Sequence, residues 1–240
     1  MTRKNYPDYD STSYYLDVRG RKVLPDGGSR ISTQSSPYTI FLKSGQGKEV
    51  VDVDDRKLID FNNNFTSLIH GHCHPNIVEA AREQISKGSA FSFGSEIEIR
   101  LAELLCERVN SFEKIRFTNS GTEAVMNAIK AARAYTGRAK IAKCENSYHG
   151  SHEVAETSLG VEPTDLIKGD PVSKAYSAGT PQAVLDDVVI IPFNDVENSR
   201  KILDKHGTAL AGILFDPFGP GMGRVAPSQA FVDLLVEMRE

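Results

Sequence analysis

Cysteine is scarce: Cys73, Cys106 and Cys144 are the three in 240 residues. Their odd number and the absence of a C-x-x-C pair argue against a disulfide framework and point to reduced thiols in a cytoplasmic compartment. Each reads as a small buried or half-buried residue rather than a nucleophile. No apolar run approaches the ~18 residues needed to span a bilayer, and the opening MTRKNYPDYDSTSYY has no apolar core for a signal peptide. Basic residues are dispersed and the formal net charge is −4, which counts against nucleic acid and membrane as partners. GPGMG, at 219–223, lacks G-x-G-x-x-G spacing, and no helical pattern starts directly after it, so a dinucleotide site is not expected. There is no internal repeat and no low-complexity tract. A chain that is 40% hydrophobic and 25% charged fits an ordinary globular protein of one large or two smaller domains.

Residues 1 to about 35 are polar and rich in Gly, Pro, Ser and Tyr, and read as an arm lying on a partner surface. From Tyr38 to Phe61, the short apolar runs TIFL and EVVDV, separated by SGQGK and DDRK, predict a small antiparallel meander. A helix is expected over 76–87, with Ile77, Ala80, Ala81 and Ile85 on one face, Pro75 in its first turn and Gly88 ending it. A second, over 97–109, would present Ile97, Leu101, Leu104, Leu105 and Val109 to a core. Strands at Ile115, Lys140, Val188 and Leu210 then alternate with helices at Val125, Asn198 and Gln229, the pattern of an α/β sheet covered by helices. Between strands, Ser151 to Asp187 is long and polar, either an active-site loop or a flexible excursion.

The densest chemistry lies in IRFTNSGTEAVMNAIKAARAYTGRAKIAKCENSYHG, Ile115 to Gly150. Ile115 and Phe117 alternate with polar neighbours, and Ala124, Ala128, Ala131 and Ala132 follow Gly121 at helical spacing. Ser120 and Glu123 form a capping box. A helix start carries unpaired N–H groups and a partial positive charge, so Gly121 would admit a phosphate to the backbone while Thr122 adds a hydroxyl. The strand after the helix leads to a loop presenting Tyr148. Read alone, a capping box caps a helix and nothing more, and a loop tyrosine packs at a rim; both readings stay open at this point. His70, His72, Cys73 and His74 invite a metal reading, but no second cluster completes a four-ligand site, and no metal is expected.

Four segments in order resemble the class III, pyridoxal-phosphate-dependent aminotransferases, near the glutamate-1-semialdehyde aminomutase and β-amino-acid transaminase branch. They are GKEVVDVDDRKLIDFNNN at Gly47 to Asn64, HGHCHPNIVEA at His70 to Ala80, FTNSGTEAVMNAIKAAR at Phe117 to Arg133, and SYHG at Ser147 to Gly150. ILFDPFGPGMGRVAP, at 213–227, resembles the family's strand and loop beneath the cofactor, with Asp216-Pro217 where Glu-Pro is common. The resemblance implies a fold-type I, mainly parallel α/β fold, incomplete at the C-terminus. It also implies an arm and meander over 1–70 belonging to a small domain, and a cofactor domain over 71–240.

What the resemblance implies chemically is transfer of an amino group between an amino acid, a β-amino acid included, or an amine and a keto acid, with pyridoxal 5'-phosphate as cofactor. Ser120, Gly121 and Thr122 would bind its phosphate, Tyr148 would stack on its ring, and His149 would lie beside it. Recognition of a substrate carboxylate suits a guanidinium fork. Arg30, after the flexible Gly27-Gly28 pair, is the candidate, with Asn62 to Asn64 lining the same pocket. No lysine follows Lys205, and Asp233, the only aspartate after Asp216, falls in a helical pattern. The Schiff-base lysine is therefore expected beyond Glu240, and the chain alone is expected to be inactive. A homodimer is implied, with an amino donor and a keto-acid acceptor as small-molecule partners. An aminomutase would use the same residues, and a non-catalytic or split relative acting as a binding or assembly partner is the reading from another class.

Overall fold

The computed structural model of the chain describes residues 6–160, 171–218 and 225–239. GPGMG and the middle of the long polar segment, 161–170, lie outside the described residues, as do 1–5 and Glu240. The chain forms two compact units, 1–101 and 102–240.

The first unit is built around an antiparallel meander of β1 (Leu42–Gln46), β2 (Glu49–Asp52) and β3 (Lys57–Ile59), in that spatial order. The predicted meander is there, because short β-prone runs separated by tight turns pair with their immediate neighbours. Asp52, fully buried, tightens the turn after β2 by accepting from the amides of Asp54 and Arg56 and from Arg56 Nε at 2.5 Å. The polar N-terminal stretch holds a helix that its composition hid, α1 (Thr12–Gly20), capped by Ser11 Oγ on the Tyr14 amide. Tyr38 is the reason the stretch folds back: it is fully buried, its hydroxyl meets the backbone of Asp8, and the rings of Tyr6, Tyr9 and Tyr14 surround it. Asp54 accepts from the first amides of α1, at Thr12 and Ser13, where a carboxylate complements the helix dipole.

After β3 comes one turn, Asn63–Thr66, in which all four residues take left-handed φ, from 49° to 66°. Asn62 Oδ1 holds it by accepting from the Phe65 amide. Then follow α2 (Pro75–Lys87), begun by proline and ended at Gly88, and α3 (Glu96–Arg108), both where periodicity predicts them. Their expected apolar faces are not covered, however: among the described residues no part of either helix is buried, and Ile85 is 67% exposed.

The second unit has a parallel sheet in the order β5–β4–β6, from β4 (Lys140–Cys144), β5 (Val188–Ile191) and β6 (Leu210–Leu214). Strands covered on both faces read as continuous apolar runs, which VVII and LAGIL do. α4 (Gly121–Thr136) precedes the sheet and packs on β6, where Ala132 approaches Gly212. The short helices α5 (Glu153–Glu156) and α6 (Gln182–Asp186) lie between β4 and β5. On one face, α7 (Val196–His206) and α8 (Gln229–Glu237) enclose a core of Ala142, Cys144, Val189, Ile191, Ile202, Leu203, Leu210 and Phe231. The α/β alternation is thus confirmed, with one correction. Ile115 and Phe117 form no strand, since a strand needs a ladder partner and none of the described strands lies beside them. On α4 the buried residue is Ile129, while Ala124, Ala128 and Ala131 are exposed and Ala132 is half-buried.

Candidate functional site

The capping box at the head of α4 forms. Ser120 Oγ accepts from the Glu123 amide at 3.2 Å, and Glu123 Oε2 reaches back to the amide of Asn119 at 2.8 Å, one residue before the usual partner. Thr118 Oγ1 donates to the Ser120 carbonyl. With Glu123 and Ala124 engaged by Ser120, the amides of Gly121 and Thr122 remain, and no described group accepts from them. A Cβ placed on Gly121 would meet nothing within 4 Å, so open space lies at the helix end. Unpaired amides, a positive dipole end and room beside them together suit an anion.

The loop after β4 is drawn against this helix end. Ser151 N–H donates to Thr122 Oγ1 at 3.1 Å, and Gly150, at φ +111°, comes so close that a Cβ would sit 2.8 Å from Thr122 Cα. The loop presents Tyr148, 58% exposed, whose hydroxyl shares a hydrogen bond with Ser151 Oγ at 3.1 Å. An exposed ring beside an anion site suits a flat ligand carrying a negative group. Ser120, Gly121 and Thr122 at the helix end and Tyr148 and His149 on the loop are thus brought together within the second unit.

Beneath the loop the environment is buried and polar. Burial pushes the His149 imidazole down to about 4, with the Lys143 charge acting in the same direction and Asp216 opposing it, so it is neutral at physiological pH. Its Nε2, the Nε2 of His152 and the Ser147 hydroxyl are buried and meet no described partner. Lys143, fully buried in β4, donates to the carbonyls of Ala155 and Thr157 at 2.8 and 2.7 Å, and burial lowers it to about 8. The same burial raises its neighbour Cys144 to about 12, which leaves that thiol unreactive. Asp216 follows β6, its Oδ1 accepting from the Phe218 amide.

Arg30 belongs to the first unit. Its Nη1 donates to Asn64 Oδ1 at 3.0 Å, and Asn64 also donates to Ser67 Oγ, so the left-handed turn holds the guanidinium. In the G-H-C-H-P segment, His72 Nε2 lies 2.7 Å from Asp60 Oδ2, and its backbone pairs with Gly47 across the β1–β2 turn. Two features escaped the sequence reading. Gly150-Ser151 has a weak signal, a glycine and a serine directly after the aromatic. Lys143 had a clearer one, a lone cation inside the apolar strand KIAKC.

The class III aminotransferase family matches residues 31–239. Among curated relatives, a glutamate-1-semialdehyde 2,1-aminomutase of Natranaerobius thermophilus is 37% identical over 207 residues, 86% of this chain and 46% of the relative. Among solved structures, an omega-transaminase from Sphaerobacter thermophilus is 47% identical with a TM-score of 0.92, covering 97% of this chain and 53% of that one. A transaminase solved with PLP bound is 42% identical, TM-score 0.86, over 94% and 52%. The chain thus spans about half the length of the relatives it matches, and over that half it has the fold of these transaminases. With the family pattern running through both units, and its helix end and aromatic loop joined as described, the chain belongs to the class III aminotransferases.

Proposed function

We propose that this protein is a transaminase using pyridoxal 5'-phosphate to move an amino group between an amino acid, β-amino acids included, or an amine and a keto acid. The carrying observation is the pair of uncommitted first-turn amides, Gly121 and Thr122, set against the loop that displays Tyr148. The residues fit the group: the open space at Gly121 takes a phosphate, Tyr148 supplies a stacking face, and the partnerless Nε2 of the neutral His149 supplies a polar atom in a buried setting. When bound, the cofactor supplies an electron sink for the charge left as a substrate loses its proton. The chain's own contributions are to hold the phosphate at the head of α4 with Ser120, Gly121 and Thr122, and to cover the ring with Tyr148. Arg30 serves as the anchor of a substrate carboxylate: one of its donors rests on Asn64, a neutral partner, which leaves its charge uncompensated by that contact.

Residues 1–70 are assigned to the small domain and 71–240 to the cofactor domain, and the working form is a homodimer in the cytoplasm. Supporting the last two are the uncovered apolar residues of α2 and α3 and the three free cysteines. Among the described residues no helix is long and apolar enough to cross a membrane. An aminomutase is the second reading, favoured by the relative that is 37% identical. Transfer of a labelled amino group to an added keto acid supports the transaminase; retention of all label within one product molecule supports the mutase.

Gly121→Asp tests the site directly. The new carboxylate occupies open space at a helix start, where it suits the dipole, so stability is kept. Cofactor affinity should fall by at least about tenfold through repulsion of the phosphate. Unchanged affinity in a folded variant would remove the phosphate assignment.

A further inference from the structure

We propose that Gly150 and Ser151 are positioning residues that clasp the Tyr148 loop to the head of α4 and aim the Thr122 hydroxyl at the bound anion. The proposal rests on the cofactor reading above and deepens it. A hydroxyl has one hydrogen to give and two lone pairs to offer. At Thr122 the loop takes the accepting side, through Ser151 N–H at 3.1 Å, and no described group accepts the hydrogen. That hydrogen is therefore left for a phosphate oxygen beside the Gly121 and Thr122 amides. Threonine near a helix start otherwise bonds to its own backbone, an alternative that the Ser151 amide suppresses by fixing the oxygen.

Gly150 is what makes the approach close enough. Its φ of +111° strains any other L residue, and a Cβ would lie 2.8 Å from Thr122 Cα and 3.0 Å from Thr122 Oγ1, where backbone cannot yield cheaply. The Tyr148 hydroxyl is bonded to Ser151 Oγ, so the ring and the Ser151 amide belong to one closed loop. The stacking face and the anion site are in this way held at a set separation, which preorganises the site for one ligand class, an aromatic phosphate monoester.

The test uses pyridoxamine phosphate and pyridoxamine, which differ only in the phosphate, bound to the intact protein. The quantity read is the ratio of their dissociation constants. Gly150→Ala should shrink the phosphate advantage by about tenfold, the scale of one hydrogen bond to a charged group. Thr122→Val should do the same, and the double variant should lose little more, since both act through one hydroxyl. Thr122→Ser, which keeps that hydroxyl, should retain the wild-type ratio. Equal weakening of both ligands by Gly150→Ala, or additive losses in the double variant, would overturn the clasp while an effect of Thr122→Val left the phosphate reading standing. An unchanged ratio in Thr122→Val would overturn both. Amide exchange at Ser151 without ligand gives a second readout if Gly150→Ala does not fold: protection in the wild type should be lost in Thr122→Val, and equal exchange in the two would overturn the clasp.

Discussion

At the scale of single residues, two cations illustrate how burial and exposure assign different work to the same charge. Lys143 is fully buried, and desolvation disfavours its charged form and lowers it to about 8, although the carbonyls of Ala155 and Thr157 accept from it. A group lowered in the folded state from an unfolded value of 10.5 binds fewer protons there between those limits, so its contribution to stability rises with pH across that window. At about 1.36 kcal/mol per pH unit, the gain is about 3 kcal/mol. Denaturant unfolding of the wild type and Lys143→Met should show the difference between them moving toward the wild type by that order from pH 8 to 10.5; parallel curves would contradict it. His149 acts in the same sense at acid pH: the unfolded chain takes up a proton below 6.5 while the folded one resists until about 4, so stability falls as pH drops through that window. Arg30, by contrast, is exposed and rests on a neutral amide. Arg30→Ala should raise KM for carboxylated donors by about tenfold or more, one charge-assisted contact, and leave simple amines nearly unchanged. Equal effects on both donors would remove its role as anchor. That Asn62 to Asn64 and Arg30 share a neighbourhood was an expectation from the sequence, whereas the hydrogen bond from Arg30 to Asn64 was not legible, because 34 residues separate them.

At the scale of elements, α4 shows a helix whose ends are written locally. Ser120 caps its start, and Gly137, at φ +68°, ends it with its amide on the Arg133 carbonyl. Ser120→Ala should cost about 1 kcal/mol in thermal or denaturant unfolding, the usual loss for an N-cap hydroxyl. Such signals act over three or four residues, which is why α2, α3, α4, α7 and α8 were each expected close to where they lie. Elements that depend on distant partners were less legible. α1 has too little apolar periodicity to announce itself; it is held by Asp54 and by the Tyr38 cluster. Ile115 and Phe117 have the alternation of a strand and no ladder, because alternation describes a side-chain pattern while a strand requires a neighbour. The Asn63–Thr66 turn is the opposite case, four left-handed residues in succession, each costing on the order of 1 kcal/mol. Its two asparagines, Asn63 and Asn64, tolerate that backbone, but the run of left-handed φ is visible only in the folded chain.

At the scale of the whole molecule, the apolar surface is extensive: Phe93 is 90% exposed, Ile69 81%, Tyr135 93% and Phe61 92%. Faces of this kind mark surfaces that another segment or chain covers. A chain limited to these 240 residues is therefore expected to bind a hydrophobic dye such as ANS and to associate with rising concentration, and Phe93→Lys should reduce both. A dye-silent monomer at high concentration would show that these side chains are covered otherwise. The amino-acid sequence by itself determined the family, the α/β alternation, the meander, the positions of α2, α3, α4, α7 and α8, and the residue types of the turn at Ser120 to Thr122 and of the aromatic loop. These are recorded in short-range periodicity, capping residues and ordered motifs, all of which act within a few neighbouring residues. Only the tertiary structure decided that Ser151 meets Thr122, that Asn64 hydrogen-bonds Arg30, that Lys143 is buried and that Ile129 is the buried residue of α4. Each of those outcomes depends on which distant backbones are brought within about 3 to 4 Å of one another, and short-range pattern carries no record of that distance.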